Sequence, residues 1–377
     1  MKTLTPDALA RALALRDLSD PTQGPHAMQR VLDAVVTALA AAWRCETVVE
    51  RASPVVSVAD NYDALHYPPA GAARDVRYTR YLSPTHLLRT QTSAMIPPLL
   101  RSLAPAPPAD ALLVCPGLVY RRDAIDRLHV GEPHQVDLWR IRRGPPLGVQ
   151  DLAGMIARVT AAVAPGLPVR VVPAVHPYTV EGRQVDVRVA GAWMEIGECG
   201  LALPALLAEA GLPPDTTGLA MGLGLDRLVL IAKGLDDVRL LRSADPRIAA
   251  QLLDLSPLMP VSRHPPVRRD LSIAAAVEAG AEELGDRVRE ALGARAEDVE
   301  AVEVLSETPG EALPEVARAR LGLRPGQKNV LLRVVLRAHG RTLTDAEANG
   351  LRDAVYAAVH EGTAWTWAAP REAAATA

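Results

Sequence analysis

Two arginines lie beside sequence features that could bind a phosphate. Arg121 ends a predicted strand in the run YRRD (residues 120–123), and the forked guanidinium of an arginine can bind two phosphate oxygens at once. Arg227 opens a predicted helix after Gly222 and Gly224, whose missing side chains allow the backbone to approach a ligand closely. Neither signal is specific by itself, because this GxG matches neither the P-loop nor the dinucleotide-binding fingerprint.

A third stretch places ring-bearing side chains at the start of a strand. Residues 174–191 read AVHPYTVEGRQVDVRVAG, and the alternation of valines with polar residues in the second half predicts a half-buried strand. His176 and Tyr178 flank Pro177 just before that strand. The pattern leaves two alternatives, an ordinary turn and the wall of a binding pocket.

The elements that must position these residues are mostly strands. Between about residues 87 and 240 short strands outnumber helices, which predicts an antiparallel sheet flanked by helices. The predicted elements are a helix over 27–43 within a helical segment 1–50, two strands around a Pro-Gly turn in 111–123, a strand over 134–143, a helix from Asp151 as N-cap to Gly166, a helix closed by Gly211, and a strand-to-helix unit over 218–234.

The pattern changes after residue 260. The order strand, helix, strand, strand, helix, strand predicts a ferredoxin-like βαββαβ domain, with Thr344 as N-cap of the second helix and a last strand in 362–370. The predicted fold class is therefore α+β. The predicted divisions are a helical segment 1–50, a core 51–243, a linker 244–261, the ferredoxin-like domain 262–370 and a tail 371–377.

Composition narrows the class of protein further. A net charge of −3 over 377 residues excludes a global positive field for nucleic acid, although a local basic patch stays open. Cys45, Cys115 and Cys199 are far apart and form no CxxC pair, which predicts reduced thiols and no zinc site. No stretch resembles a signal peptide or a membrane span, so we expect a cytoplasmic protein without a membrane partner. The chain contains no phenylalanine, which is improbable by chance at this length.

Taken together, the motifs resemble motifs 2 and 3 of class II aminoacyl-tRNA synthetases and, more narrowly, the phenylalanyl-tRNA synthetase family. The matching segments, in that family's order and at about its spacing, are NYDALHYP, ARD, LLRTQTSA, VYRRD, HQVD, WMEIGECG and GLGLDRLVL. HPPVRRDLSIA and RTLTDAEANGLRDAV resemble the ferredoxin-fold anticodon-binding domain of the large bacterial subunit. The resemblance covers about residues 55–370. A single chain that joins both parts is the layout of the monomeric organellar members.

The resemblance implies an activity, its cofactors and its catalytic residues. Members activate an amino acid with ATP and Mg²⁺ as an aminoacyl-adenylate and then transfer the aminoacyl group to tRNA. Arg121 would contact the α-phosphate and the substrate carboxylate, and Arg227 would hold the γ-phosphate. Glu195 would help to bind the magnesium ion.

Larger sets of binding residues are implied in the same way. Residues implied for ATP are Arg121, Asp123, His129, Pro133, Glu195 and Arg227. Residues implied for the amino acid are Ser93, His134, Gln135, Asp137, His176, Tyr178, Gly200, Ala220 and Gly222. Residues implied for tRNA are Arg268, Arg269 and Arg333, with a docking role of this domain as the alternative. The resemblance leaves both a monomer and a homodimer open.

Several positions depart from the family pattern and indicate a diverged substrate pocket. His176-Pro177-Tyr178 stands where Phe-Pro-Phe is usual, and Glu198 stands where a small or apolar residue is usual. The other departures are Asp123 and Asp137 in place of glutamate, Pro133 in place of phenylalanine and Gln91 in place of histidine. Buried polar groups need partners, so the pocket should distinguish phenylalanine from a polar analogue differently.

Three functions are compatible with these departures. The first is an aminoacyl-tRNA synthetase that charges phenylalanine. The second is a diverged paralogue that activates another amino acid, with or without tRNA. The third is a non-catalytic binding protein that keeps the fold.

Overall fold

A computed structural model describes residues 3–122, 124–259, 264–338 and 341–366 of the chain. Its helices are α1 (Pro6–Leu13), α2 (Ala27–Trp43), α3 (Val58–Asn61), α4 (Ile96–Leu103), α5 (Val149–Val163), α6 (Pro204–Glu209), α7 (Leu225–Lys233), α8 (Pro246–Ala249), α9 (Ala281–Leu292), α10 (Glu315–Leu321) and α11 (Asp345–Val359). Its strands are β1 (Glu46–Val49), β2 (Val55–Ser57), β3 (His86–Leu88), β4 (Asp110–Leu118), β5 (His134–Arg143), β6 (Val169–Pro173), β7 (Thr179–Val189), β8 (Ala192–Ala202), β9 (Thr216–Gly224), β10 (Val267–Ala276), β11 (Val299–Pro309) and β12 (Gln327–Leu336).

The chain forms two units, and the first contains a seven-stranded sheet. Unit 1 comprises residues 1–121, 132–241 and 249–258. Its strands follow the order β1-β4-β5-β9-β8-β7-β6, and each neighbouring pair is antiparallel except the parallel pair β1–β4. Helix α2 packs on α5 and α7, while α4 and α6 contribute to a core with the buried Trp139. This arrangement confirms the predicted fold class, a mostly antiparallel sheet flanked by helices.

The N-terminal segment is helical only in part. Helix α2 occupies residues 27–43 as predicted, and its apolar face buries Val31, Val35 and Leu39 at the helical repeat. The expectation that the whole segment 1–50 is helical is wrong, because residues 46–49 form β1. The sequence of β1, ETVV, is rich in β-branched residues, which favour strands.

Two local predictions within unit 1 are corrected by the structure. Strand β4 continues through Pro116-Gly117 instead of turning there. Its neighbour β1 pairs only as far as Val114, so Pro116 lies on an unpaired edge where a missing N–H is tolerated. Asp151 is the third residue of α5 and not its N-cap, which is Gly148. The Asp151 carboxylate accepts a hydrogen bond from the Gly148 N–H at 2.9 Å.

Unit 2 comprises residues 122–131, 242–248 and 259–377. Its three-stranded antiparallel sheet has the order β10-β12-β11, and residues of β10, β12, α9 and α11 form its core. Ile125, from a segment that the sequence places in the catalytic core, is buried in this cluster, and its carbonyl accepts a hydrogen bond from the Val302 N–H at 2.9 Å.

The order of elements in unit 2 matches most of the predicted ferredoxin-like motif. Strand, helix, strand, strand and helix are present, with the unpredicted α10 between the second and third strands. Thr344 caps α11 as predicted, since its hydroxyl accepts the Glu347 N–H at 3.3 Å. Residues 362–366 form no strand, and the rest of the predicted last strand lies outside the described residues. The complete ferredoxin-like motif therefore stays a prediction.

Candidate functional site

One face of the seven-stranded sheet brings together several of the residues implied for amino-acid binding. Asp137 on β5 lies opposite Gly222 on β9, which in turn lies opposite Glu198 on β8. Side chains of directly opposed residues share a face, as do residues two apart on one strand. Gln135, Ala220 and Gly200 therefore lie on the same face as Asp137 and Gly222.

Gly222 forms an uncovered floor between two carboxylates. Among the described residues, a Cβ atom added at Gly222 would meet only Asp137 Oδ2 within 4 Å, at 3.8 Å. At Gly200, by contrast, an added Cβ would lie 2.7 Å from the Cβ atom of Thr179, so that position is closed. We call the space above Gly222, between Asp137 and Glu198, the cleft.

Asp137 is buried and held by neutral hydrogen-bond donors. Thr92 Oγ1 donates to its Oδ2 at 2.8 Å, Ser93 Oγ lies within 3.0 Å of both carboxylate oxygens, and Trp139 Nε1 donates to Oδ1 at 3.1 Å. Burial raises the pKa of Asp137, and these hydrogen bonds oppose the rise without cancelling it. The structure thus brings together Ser93 and Asp137, which the sequence analysis predicts to bind the amino acid.

Aromatic rings form the wall of this region. The ring centroid of Tyr178 lies 6.2 Å from those of Trp139 and Tyr67 and 6.1 Å from that of His176. The Tyr67 hydroxyl donates to Gln91 Oε1 at 2.7 Å. Burial raises the pKa of both tyrosines, and nearby Asp137 and Glu198 raise it further. Tyr67 was missed by sequence reasoning, although it lies within the NYDALHYP segment.

His176 and Glu198, which both depart from the family pattern, contact each other. His176 Nε2 lies 3.1 Å from Glu198 Oε2, and Nδ1 lies 3.1 Å from Thr179 Oγ1. The His176 side chain is 7% exposed, whereas that of Glu198 is 44% exposed. A polar pair therefore occupies this part of the wall.

His134 does not line the cleft, contrary to the expectation from the sequence. Alternation along β5 places it on the face opposite to Gln135 and Asp137. Its Nε2 accepts the Leu18 N–H at 3.1 Å, and its Nδ1 lies 3.1 Å from Asp226 Oδ1. The His134 backbone N–H also donates to Asp226. Both ring nitrogens are engaged inside the protein, so His134 is a structural residue here.

The residues implied for the phosphates are brought together in part. Arg227 Nη1 donates to the Glu195 carbonyl at 3.0 Å and lies 3.7 Å from the Glu195 carboxylate, which is 42% exposed. The Arg121 carbonyl accepts from Arg80 Nη2 at 3.1 Å. Arg121 Nε is buried and has no hydrogen-bond partner among the described residues.

The remaining residues implied for ATP lie in different places. The Pro133 carbonyl accepts the Val119 N–H at 2.9 Å within unit 1. His129 belongs to unit 2, where its Nδ1 lies 2.7 Å from Asp126 Oδ2. Asp123 lies outside the described residues. In the part of the chain that the structure describes, no group of three or more His, Cys, Asp or Glu side chains could hold a metal ion.

The three arginines implied for tRNA binding do not share one face of unit 2. Arg333 pairs with Asp270 across the strands through two hydrogen bonds of 2.9 Å, on the same face as the exposed Arg268. Arg269 lies on the opposite face and donates to Asp345 and Asn349 of α11 at 3.2 Å. These three positions therefore do not form one continuous surface, and their role in tRNA binding stays a prediction.

No helix of the described residues is long and apolar enough to cross a membrane. The three cysteines form no disulfide.

Comparisons with known proteins place this sheet in a family. The model of the tRNA synthetase class II core domain (F) matches residues 15–252. The phenylalanine–tRNA ligase alpha subunit of Prochlorococcus marinus (strain NATL2A) is 38% identical over 192 residues, which cover 51% of this chain and 56% of the relative. The corresponding subunit of Nostoc punctiforme is 36% identical over the same shares. The chain thus spans little more than half the length of these relatives.

A solved structure of a pyrrolysyl-tRNA synthetase from Desulfitobacterium hafniense covers 58% of this chain, and this chain covers 74% of it, at a TM-score of 0.44 and 20% identity. That likeness is too low to support a structural argument. The family model, by contrast, matches well over half of the chain, and the protein belongs to the class II tRNA synthetases, alongside the phenylalanine–tRNA ligase alpha subunits.

Proposed function

We propose that this protein activates an amino acid with ATP to give an aminoacyl-adenylate and pyrophosphate, and then transfers the aminoacyl group to tRNA. The observation that carries the proposal is the cleft, where the buried Asp137 and the hydroxyl of Ser93 face an open floor at Gly222. A carboxylate held only by neutral donors suits an α-ammonium group. The relatives' name, phenylalanine–tRNA ligase, supports the reaction class.

In the proposed reaction the side chains mainly position the two substrates. The α-ammonium group would bind Asp137 and Ser93, while Arg121 would bind the carboxylate and the α-phosphate. A carboxylate oxygen then attacks the α-phosphorus. The bond from that phosphorus to the bridging oxygen breaks, and pyrophosphate leaves with the electron pair. Positioning and stabilisation of the developing negative charge are the main contributions of such a site.

The described residues fit ATP and Mg²⁺. Arg121 Nε is buried without a partner, which a phosphate oxygen would supply. Mg²⁺ usually keeps several waters and binds one or two carboxylates together with substrate phosphates, so a three-carboxylate cluster is not needed. Glu195, with its partly exposed carboxylate, would hold the ion, and Arg227 beside it would hold the γ-phosphate. The bound ion would neutralise phosphate charge.

The finer parts of the proposal concern the partners. Unit 2 would contact tRNA, and the protein would act in the cytoplasm as a monomer or homodimer. The substrate would be phenylalanine or an aromatic or polar analogue.

The proposed activity is tested by ATP–pyrophosphate exchange with Mg²⁺ and each amino acid in turn, followed by transfer to total tRNA. Exchange with at least one amino acid, and its loss in Arg121→Ala, is the expected result. Exchange in the absence of any amino acid, or unchanged exchange in Arg121→Ala, contradicts the assignment. A protein that exchanges with no amino acid of a broad panel but binds tRNA would instead be a non-catalytic homologue.

A further inference from the structure

The cleft carries features that point to the chemical class of its amino acid. Resting on the proposed function, we infer that the protein selects an amino acid with a planar side chain that bears a hydrogen-bond donor, a hydroxyl or an amine, and disfavours the unsubstituted phenyl ring of phenylalanine. Glu198 and His176 are the residues that would make this distinction.

Glu198 supplies an acceptor at the edge of the cleft. It lies directly opposite Gly222, on the side away from Asp137, and Gln184 follows it in the same cross-strand row. An ionised carboxylate only accepts hydrogen bonds. Because the Glu198 side chain is 44% exposed, it can meet a ligand without first breaking a buried network.

His176 supplies a buried polar atom that the protein leaves unsatisfied. Its side chain is more than nine-tenths buried, and Nδ1 is engaged with Thr179. Nε2 lies 3.1 Å from Glu198 Oε2 outside hydrogen-bond geometry and has no hydrogen-bond partner among the described residues. Buried polar side chains normally have a partner, and an exception calls for an explanation. A ligand group placed beside the pair, within reach of Nε2 and of the exposed Glu198 carboxylate, would provide one.

The surrounding rings restrict the shape of that ligand. Tyr178, whose ring lies at 22° to that of Trp139 and at 33° to that of His176, forms a flat wall beside the polar pair. Aromatic rings pack well in offset or edge contacts, so a planar side chain fits. A hydroxyl on that ring could donate to Glu198 and accept from His176, while an amine could donate to Glu198.

An unsubstituted phenyl ring would leave the buried His176 Nε2 without a hydrogen-bond partner and would shield Glu198 in part from water. A site built to hydrogen-bond a substrate group rejects the analogue that lacks it far more strongly than an apolar pocket rejects an extra group. Because Glu198 keeps partial access to water, we expect a preference of at least about tenfold in kcat/KM, below the limit for a closed site.

The test is ATP–pyrophosphate exchange with phenylalanine, tyrosine, 3-hydroxyphenylalanine and 4-aminophenylalanine. We expect at least one donor-bearing substrate to exceed phenylalanine at least about tenfold in kcat/KM. Comparison of the hydroxylated substrates with 4-aminophenylalanine shows whether the site prefers a hydroxyl or an amine. Glu198→Gly combined with His176→Phe should reverse the order in favour of phenylalanine. Most of the change should lie in KM for the amino acid, with KM for ATP unchanged.

Glu198→Gln preserves the size of the side chain and tests whether the charge is needed, should the double variant fail to fold. The matched control is Glu209→Gln, which removes the charge from another Glu–His pair of unit 1, formed with His66 at 3.0 Å, and should leave the substrate order unchanged. A wild-type preference for phenylalanine, or an unchanged order in the Glu198 variants, overturns the inference while the proposed function stands. No exchange with any amino acid overturns both.

Discussion

Asp137 on the seven-stranded sheet and Arg333 on the three-stranded sheet are held by different kinds of neighbour. On the seven-stranded sheet, Asp137 is surrounded by the neutral donors Thr92, Ser93 and Trp139. On the three-stranded sheet, Arg333 donates hydrogen bonds to the carboxylate of Asp270. This carboxylate raises the pKa of Arg333, and nearby Glu303 raises it further. Neutral donors hold a charged group in place without cancelling its charge, so a ligand of opposite charge can still be attracted. In an ion pair the partner has already neutralised that charge.

This difference separates binding groups from structural ones. Holding a buried charge without a counter-charge is unfavourable for folding, and the raised pKa of Asp137 reports that cost. Exposed ion pairs contribute little to stability, about 0–1 kcal/mol each. We therefore expect substitutions to have large functional effects where charge is uncompensated and small effects where it is paired.

The largest effect is expected at Arg121. Its Nε is buried without a hydrogen-bond partner in the described residues, so the Arg121→Ala variant removes a donor that a phosphate oxygen would engage in the proposed reaction. Exchange should fall by about 10²–10³-fold or more, as for the loss of other groups that stabilise developing charge. Steady-state pyrophosphate exchange measures this loss.

Arg142→Ala is the control for that substitution. Arg142 is a half-buried arginine of β5 that donates only to the Pro145 carbonyl in the described contacts. Both variants should unfold at nearly the wild-type temperature. Equal exchange rates in Arg121→Ala and Arg142→Ala would show that Arg121 does not bind the phosphate.

A large effect on stability, and none on specificity, is expected at His134. His134→Ala would leave the Leu18 N–H without its acceptor and would remove one hydrogen-bond partner of the buried Asp226 carboxylate, which keeps the His134 backbone N–H. An unpaired buried group costs about 1–3 kcal/mol, so the free energy of unfolding should fall by roughly 3 kcal/mol. Urea denaturation measures the fall. If the His134→Ala variant keeps its stability but has a raised KM for the amino acid, His134 is a binding residue instead.

An intermediate effect is expected at Asp137. Asp137→Asn keeps one acceptor oxygen but removes the charge opposite the proposed α-ammonium group, and a hydrogen bond to a charged group is worth about 1.5–3 kcal/mol. KM for the amino acid should rise about 10–150-fold, while KM for ATP stays unchanged. Initial rates of exchange at varied substrate concentrations separate the two constants.

The pH dependence gives a second measurement at Asp137. Its raised pKa means that this carboxyl takes up a proton at a higher pH than an ordinary aspartate. The charge that binds the ammonium group is therefore lost earlier as the pH falls, and KM of the wild type should rise on acidification. The Asn variant should lack this rise. Identical profiles would show that Asp137 does not bind the amino group.

Regular elements were predictable from the sequence because their causes are local. The helical repeat over 27–43 and the strand 134–143 follow from hydrophobic period alone, and the shared face of Gln135 and Asp137 follows from strand alternation. The role of His134 was not predictable, since its partner Leu18 lies 116 residues away in the chain. The contact of His176 with Glu198 likewise depends on strand register, which neither segment encodes by itself.

The smallest effect is expected at Arg333, where charge is already paired. Arg333→Ala should change the affinity for tRNA by less than about threefold, and the slope of log K against log salt by less than the 0.7–0.9 expected for one phosphate contact. Asp270→Asn should act in the opposite direction, because it leaves the Arg333 guanidinium without its carboxylate partner. The slope can then steepen by up to the amount expected for one phosphate contact. Filter binding at several salt concentrations measures both slopes.

Exposed Arg268 provides the internal comparison for Arg333, since both residues lie on the same face of the three-stranded sheet. If tRNA binds this face, Arg268→Ala should lower the slope of log K against log salt by about the amount expected for one phosphate contact. If the salt slope in Arg333→Ala falls by the amount expected for one phosphate contact, tRNA displaces Asp270 from Arg333. An arginine that is paired across the strands would then still bind phosphate. Equal, negligible effects of all three substitutions would instead place tRNA on another face of unit 2.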